Sequence, residues 1–296
     1  MEIRKKTNNY LDFALINYII LGLLAILYTP LLIHWYDGWL NKNIGIEHEY
    51  FSHGIIGLPF AFYLSWQKRK KWQRLPDRFN PWGGFLLTIG ITLYITGVSE
   101  LVNLSFPIVL VAIYLCLKGI PGLKLQAFPL FLTFFATPNS IPYLITPWTL
   151  PLQKFIAASA GFILMQLGMD VSVEAIYLAV DGRLVEVAPY CAGLKMLFTT
   201  LYVGSMLLYW TDNHRNFRKV TTVLSFAIVI SIVANILRNT ILAFFHGTGR
   251  EQLFTWLHDG WGGDLYSTIM LGIIVLLVNF LDRVEPLPES NYPEEN

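Results

Sequence analysis

Three residues spaced far apart in the chain could together attack a carbonyl: Cys191, Arg238 and His258. A cysteine supplies a thiolate nucleophile, and a histidine exchanges protons near neutral pH. An arginine offers a planar cation to an oxyanion or a carboxylate. Cys191 lies in "VAPYCAGLKMLFTTLYVG", at the head of an apolar run. A helix N-terminus there would stabilise a thiolate through its unsatisfied N–H groups and partial positive charge. Pro189 suits a helix start, and Gly193 would let a backbone or a substrate come close. The competing reading is a cysteine buried by packing alone. A disulfide with Cys116 is not expected, because the spans put the two a membrane thickness apart.

Arg238 interrupts a long apolar stretch, "VLSFAIVISIVANILRNTILAFFHG", about 12 Å from its outer end at 1.5 Å per residue. An arginine at that depth costs at least about 2 kcal/mol at insertion, which makes it a functional candidate. Its alternative is snorkelling to the surface. Asn235 is one turn away on the same face, as a substrate contact or as a helix–helix hydrogen bonder. His258, in "TWLHDGWGGDLYS", is a proton carrier or a member of an aromatic belt with Trp256 and Trp261. Asp259 is adjacent in sequence and need not face it. "HEYFSH" places His48 and His53 five residues apart, so they do not stack on a helix as metal ligands would. No third ligand is evident; no metal and no cofactor is expected. His53, entering an early span, is a candidate substrate contact.

The elements that must position these residues are membrane helices. Of 296 residues 54% are hydrophobic and only 14% charged, against roughly 25% charged in soluble domains. The net charge of +1 gives no electrostatic case for a nucleic-acid partner. Apolar windows predict spans at 13–35, 52–66, 82–101, 104–119, 126–142, 191–211, 220–246 and 264–281, with 150–168 ambiguous. The fold class is all-α, a polytopic bundle of about eight spans, read as one integral domain over 1–282. The first run is too long for a signal peptide and lacks a small-residue cleavage site. The tail "RVEPLPESNYPEEN", 283–296, reads as a short disordered cytoplasmic end.

Lys and Arg mark cytoplasmic loops. "QKRKKWQRLPDR" and "HRNFRK" are the strongest, while the loops around 37–51, 169–190 and 247–263 carry acids instead. Cys191, Arg238 and His258 then all fall at the outer face. Counting crossings leaves 150–168 starting and ending outside, so a re-entrant or interfacial helix is preferred. The alternative is that 52–66 or 104–119 does not cross. In "DVSVEAIYLAVDGRLVEVAP" the period changes to two, and Asp181-Gly182 signals a tight turn. This predicts a small external β-hairpin.

At these residues the sequence resembles the exosortase/archaeosortase family, and within it the cyanobacterial members (cyanoexosortases). "PYCAGLKML", "ANILRN" and "LHDGWGGD" are similar to its cysteine, arginine and histidine segments. "EYFSHGIIGLPFAFYLSWQKRK" and "FPLFLTFFATPNSIPYLITPWTLPLQ" are similar to two earlier ones, so the likeness runs from about Glu49 to Tyr266. Ala192 stands where the family usually has serine. The resemblance implies a cysteine protease or transpeptidase with Cys191, Arg238 and His258 as its catalytic residues; His53, Asn235 and Gly193 are the candidate substrate contacts. It implies as partners exported proteins with a C-terminal tripartite tail of PEP-CTERM type, the lipid bilayer of the inner (plasma) membrane, and a small separate accessory protein in place of a domain fused to some relatives. The competing readings are a non-catalytic membrane assembly or transport protein, and a metallopeptidase at His48 and His53.

Overall fold

A computed structural model describes residues 2–40, 50–189 and 193–284. Cys191 and His48 lie outside the described residues, as does the tail beyond Val284. The chain divides into two compact units, Met1–Asn139 and Ser140–Asn296.

All the regular elements described in the first unit are helices: α1 (Glu2–Leu40), α2 (Gly54–Gln67), α3 (Arg69–Arg74), α4 (Pro81–Ile95), α5 (Ser99–Leu125) and α6 (Ala127–Ala136). Asn80 caps α4 through its side chain, with Pro81 at the first helical position. The basic segment gathers the ends of three helices. Buried Lys118 donates to Leu75 O at 2.7 Å and to Asp77 Oδ1 at 2.6 Å, and Lys68 donates to Leu125 O at 2.8 Å. The expected span 82–101 instead ends at Ile95: Gly97 turns the chain at φ +66 and α5 starts at Ser99. Gly119, at φ +61, breaks α5 near its basic end.

The second unit holds α7 (Ile141–Ile145), a 3-10 turn (Thr146–Thr149), α8 (Leu150–Gln166), β1 (Val171–Glu174), β2 (Tyr177–Val180), β3 (Arg183–Glu186), α9 (Leu194–Trp210), a second 3-10 turn (Asn213–Arg215), α10 (Phe217–Gly247), α11 (Glu251–His258) and α12 (Trp261–Val284). The predicted span 126–142 is broken after Ala136 at "TPNS", where Pro138 cannot continue the helix. α8 buries Ile156, Ala157, Ala160 and Leu164 against Leu178, Val180, Val187 and Ala243. Its other face exposes Phe155, Phe162 and Met165, an apolar flank suited to lipid.

The predicted hairpin is present and is extended by one strand. The sheet is an antiparallel meander, β1–β2–β3. Asp181 and Gly182 both take positive φ, as a two-residue hairpin turn requires. The second turn falls at Ala175-Ile176, where Ala175 takes φ +55 without a turn residue to signal it.

α5, α10 and α12 are each long and apolar enough to cross a bilayer, and α6 with the helices after its 71° bend passes the same test only as a pair, as a broken span or a re-entrant loop. α4 is a shorter apolar helix, and its 15 residues rise only about 22 Å. The chain is an all-α polytopic membrane bundle with a small sheet appended.

Candidate active site

α10 forms the spine of the second unit, with α9, α11 and α12 each packed against it. It runs from the turn at 211–216 to the turn at 248–250, while α9 and α12 run the other way. The N-termini of α9 and α12 therefore meet the C-terminal half of α10 at one end of the bundle.

A buried polar stripe follows α10 at helical spacing: Ser231, Asn235 and Asn239. Asn239 Nδ2 donates to Asn235 O at 2.9 Å. Arg238 is half-buried beside this stripe. Side chains four apart share one face, so a polar run here keeps Asn and Arg turned toward neighbouring helices rather than lipid.

Two glycines bring the other helices in. Gly193 stands at the start of α9 with φ +82, and a Cβ there would lie 2.6 Å from Asn235 Cγ and 2.8 Å from Nδ2. The close approach that Gly193 permits is thus made by Asn235. Gly263, in the first turn of α12, is the second meeting point. A Cβ at Gly263 would lie 2.9 Å from Leu257 O, 3.8 Å from His258 O and 3.9 Å from Arg238 Nη2. The guanidinium and the carbonyl end of α11 share one small neighbourhood. Gly260 and Gly262 press on Trp256, so the run "GWGG" closes the corner between α11 and α12.

His258 ends α11 with its ring fixed on two sides. Its Nδ1 lies 2.7 Å from Asp259 Oδ1, and its ring stacks on Phe254 at 5.3 Å and 9°. Phe254 also meets the His246 ring at 5.4 Å. Sequence alone could not show Asp259 facing His258, because adjacent helical residues diverge. The contact exists because α11 stops there. Phe254 was within reach of sequence reasoning, since it precedes His258 by four residues on one helix. Tyr266 was missed: its hydroxyl donates to Ala234 O at 2.6 Å, and it lies within electrostatic reach of Arg238.

The sheet is tied to the same end. Arg183 Nη1 donates to Glu251 Oε1 at 2.8 Å and to His246 O at 3.3 Å. His53 belongs to the first unit, where it is 5% exposed and its Nε2 lies 2.9 Å from Phe135 O. Cys116 is free, and Cys191 lies outside the described residues.

Gly193, Asn235, Arg238 and His258 thus fall at one end of one unit, in the order the chain must fold to bring them there. A family model described as transmembrane exosortase (Exosortase_EpsH) matches residues 39–275. The chain belongs to that family. Comparison with the curated proteins and with the solved structures gives no match. Exosortases are, in general, membrane cysteine transpeptidases that act on the C-terminal sorting signals of other proteins. The matched region spans both units and every exosortase-like segment quoted above.

Proposed function

We propose that the chain is a membrane-embedded cysteine protease or transpeptidase that cleaves PEP-CTERM-type sorting signals through an acyl-enzyme thioester. The observation that carries this reading is the pair of glycine contacts, Gly193 on Asn235 and Gly263 beside Arg238 and His258. Together they draw the start of α9, the middle of α10 and the α11–α12 corner to one place. Cys191 precedes Gly193 by two residues, a reach of about 7 Å at full extension.

In this mechanism His258 takes the thiol proton from Cys191. The thiolate attacks the scissile carbonyl, forming a C–S bond, and Arg238 stabilises the oxyanion. Collapse breaks the C–N bond, and His258 returns the proton to the departing amine. Water or an acceptor amine then attacks the thioester and frees the thiolate. Asp259 holds the imidazole through Nδ1 and Phe254 holds its plane, which is the orienting role such partners play in nucleophile–base pairs. Asn235 fixes Gly193 and so the chain that bears the nucleophile. The site opens on the extracytoplasmic face of the inner membrane, where the substrate's own membrane helix gives proximity. A small accessory protein and lipid complete the assembly, and residues 283–296 form a cytoplasmic tail.

The test is co-expression with a tail-bearing exported protein. Wild type shortens it, Cys191→Ala does not, and a quenched reaction yields Cys191 carrying substrate mass. Unaltered processing by Cys191→Ala sinks the proposal in favour of a non-catalytic membrane protein.

A further inference from the structure

The sheet in the second unit has an unused edge. β2 is bonded on both sides, and the alternation of bonds can be followed along it. Asp181 N donates to Asp170 O at 2.9 Å on the β1 side, and Val187 N donates to Ile176 O at 2.9 Å on the β3 side. In an antiparallel pair, bonded and non-bonded partners alternate. From the Val187–Ile176 bond and the register Leu178↔Val185 and Val180↔Arg183, β3 turns the backbone groups of Val185 and Arg183 toward β2. The N–H and C=O of Leu184 and Glu186 therefore point away from the sheet. No described residue bonds them. Both residues are exposed, Leu184 at 63%.

This edge has two properties that the other lacks. β3 leads directly into the cysteine segment, with Glu186 five residues before Cys191, whereas β1 emerges from α8 and packs its valines on Gly161. β3 is also held in place: Arg183 ties it to Glu251 and to His246 O at the ends of α10 and α11. A short, fixed, unpaired edge is a template for one more strand, and it recognises extended backbone by paired N–H and C=O groups. Leu184 and Glu186 stand roughly 7 Å apart along the strand, which matches two alternate residues of an added chain. Five residues from Glu186 to Cys191 hold the Cα atoms of the two within about 18 Å of each other.

We propose that the outer edge of β3 binds the substrate's extended segment as a fourth strand, aligning its scissile carbonyl with the nucleophile. This rests on the cysteine transpeptidase reading, and the experiment separates the two. The probe is a synthetic peptide covering the sorting signal of a co-expressed tail-bearing protein. It is added to full-length Cys191→Ala in detergent, and amide hydrogen exchange is followed residue by residue. The expected result is exchange slowed at least tenfold at Leu184 and Glu186, with Val171 and Val173 on the opposite edge unchanged. In parallel, Leu184→Pro removes the outward N–H at a position where an edge strand tolerates proline. It is expected to raise KM for processing at least tenfold with kcat near wild type, and an unchanged KM in this variant overturns the edge. Slowed exchange at 184 and 186 in a chain whose wild type cleaves nothing upholds the edge and overturns the transpeptidase. Cleavage by wild type, with unslowed exchange at 184 and 186, overturns the edge and leaves the transpeptidase standing.

Discussion

The space beside Gly193 is filled by the side chain of Asn235, whose Cγ lies 2.6 Å from where a Cβ would be. Gly193→Ala therefore meets two penalties: a left-handed φ of +82 and a clash with a buried amide. The first costs roughly 1–2 kcal/mol and the second roughly 1–3 kcal/mol. The expected outcome is a thermal midpoint lowered by several degrees and slower processing. In Gly193→Ala/Asn235→Ala the clash is relieved and the φ strain stays, so the double variant is more stable than the sum of the singles. A double-mutant cycle on unfolding measures this coupling.

Arg238 tests whether shape or charge matters in the site. Arg238→Lys keeps the cation and loses the planar fork with its five donors. If the guanidinium holds an oxyanion, processing falls by at least about a hundredfold, in line with the loss of one oxyanion donor. Expression and thermal midpoint stay near wild type, because the lysine retains the charge in a half-buried position. Full activity in the lysine variant would assign Arg238 to packing or insertion alone.

Asp259 is bonded to His258 yet 68% exposed on its side chain. Water weakens what it contributes, so Asp259→Asn is expected to slow processing about tenfold, far short of the roughly 10⁴-fold loss where such an aspartate is buried. His258→Asn removes the base altogether. Adding Asp259→Asn to it is expected to do nothing more, since the aspartate acts through the imidazole. A further loss in the double variant would mean that Asp259 acts independently.

At the opposite end of the bundle, Lys219 is buried and donates to Asn213 Oδ1 at 3.0 Å and Asp282 Oδ1 at 3.1 Å. Asn213 Nδ2 reaches the same Asp282 oxygen at 2.6 Å. This network joins the start of α10 to the end of α12. Lys219→Met leaves the aspartate and the asparagine short of a partner and is expected to cost about 1–3 kcal/mol, less than a fully buried pair because Asp282 keeps some water. Calorimetry reads the loss. Processing per folded molecule is expected to hold, as the network is remote from the site.

How much of this was legible in the sequence depends on whether the signal was local. Asp181-Gly182 announced its turn because both residues favour positive φ. Ala175 gave no such sign, so one strand of the meander went unseen. The apolar windows located the helices but smoothed over Gly97, where a single backbone angle separates two of them. The polar run of Asn235 and Arg238 was readable from helical spacing. What filled the gap at Gly193 was not, because the contact lies more than forty residues away in the chain. Nor was the facing of His258 and Asp259, which depends on where α11 ends. Cys191, the first residue to suggest chemistry, lies outside the described residues.

Two of the cations on α10, Lys219 and Arg238, stand at a spacing that serves as a depth gauge. From Lys219 to Arg238 the helix rises roughly 28 Å at 1.5 Å per residue. The hydrocarbon layer of a bilayer is roughly 30 Å thick. With Lys219 at one boundary of that layer, Arg238 would stand at the other, shallower than the roughly 12 Å read from the apolar run alone. The reacting carbonyl would then be held at the rim of the oil, where an insoluble tail and a water-borne acceptor can both arrive.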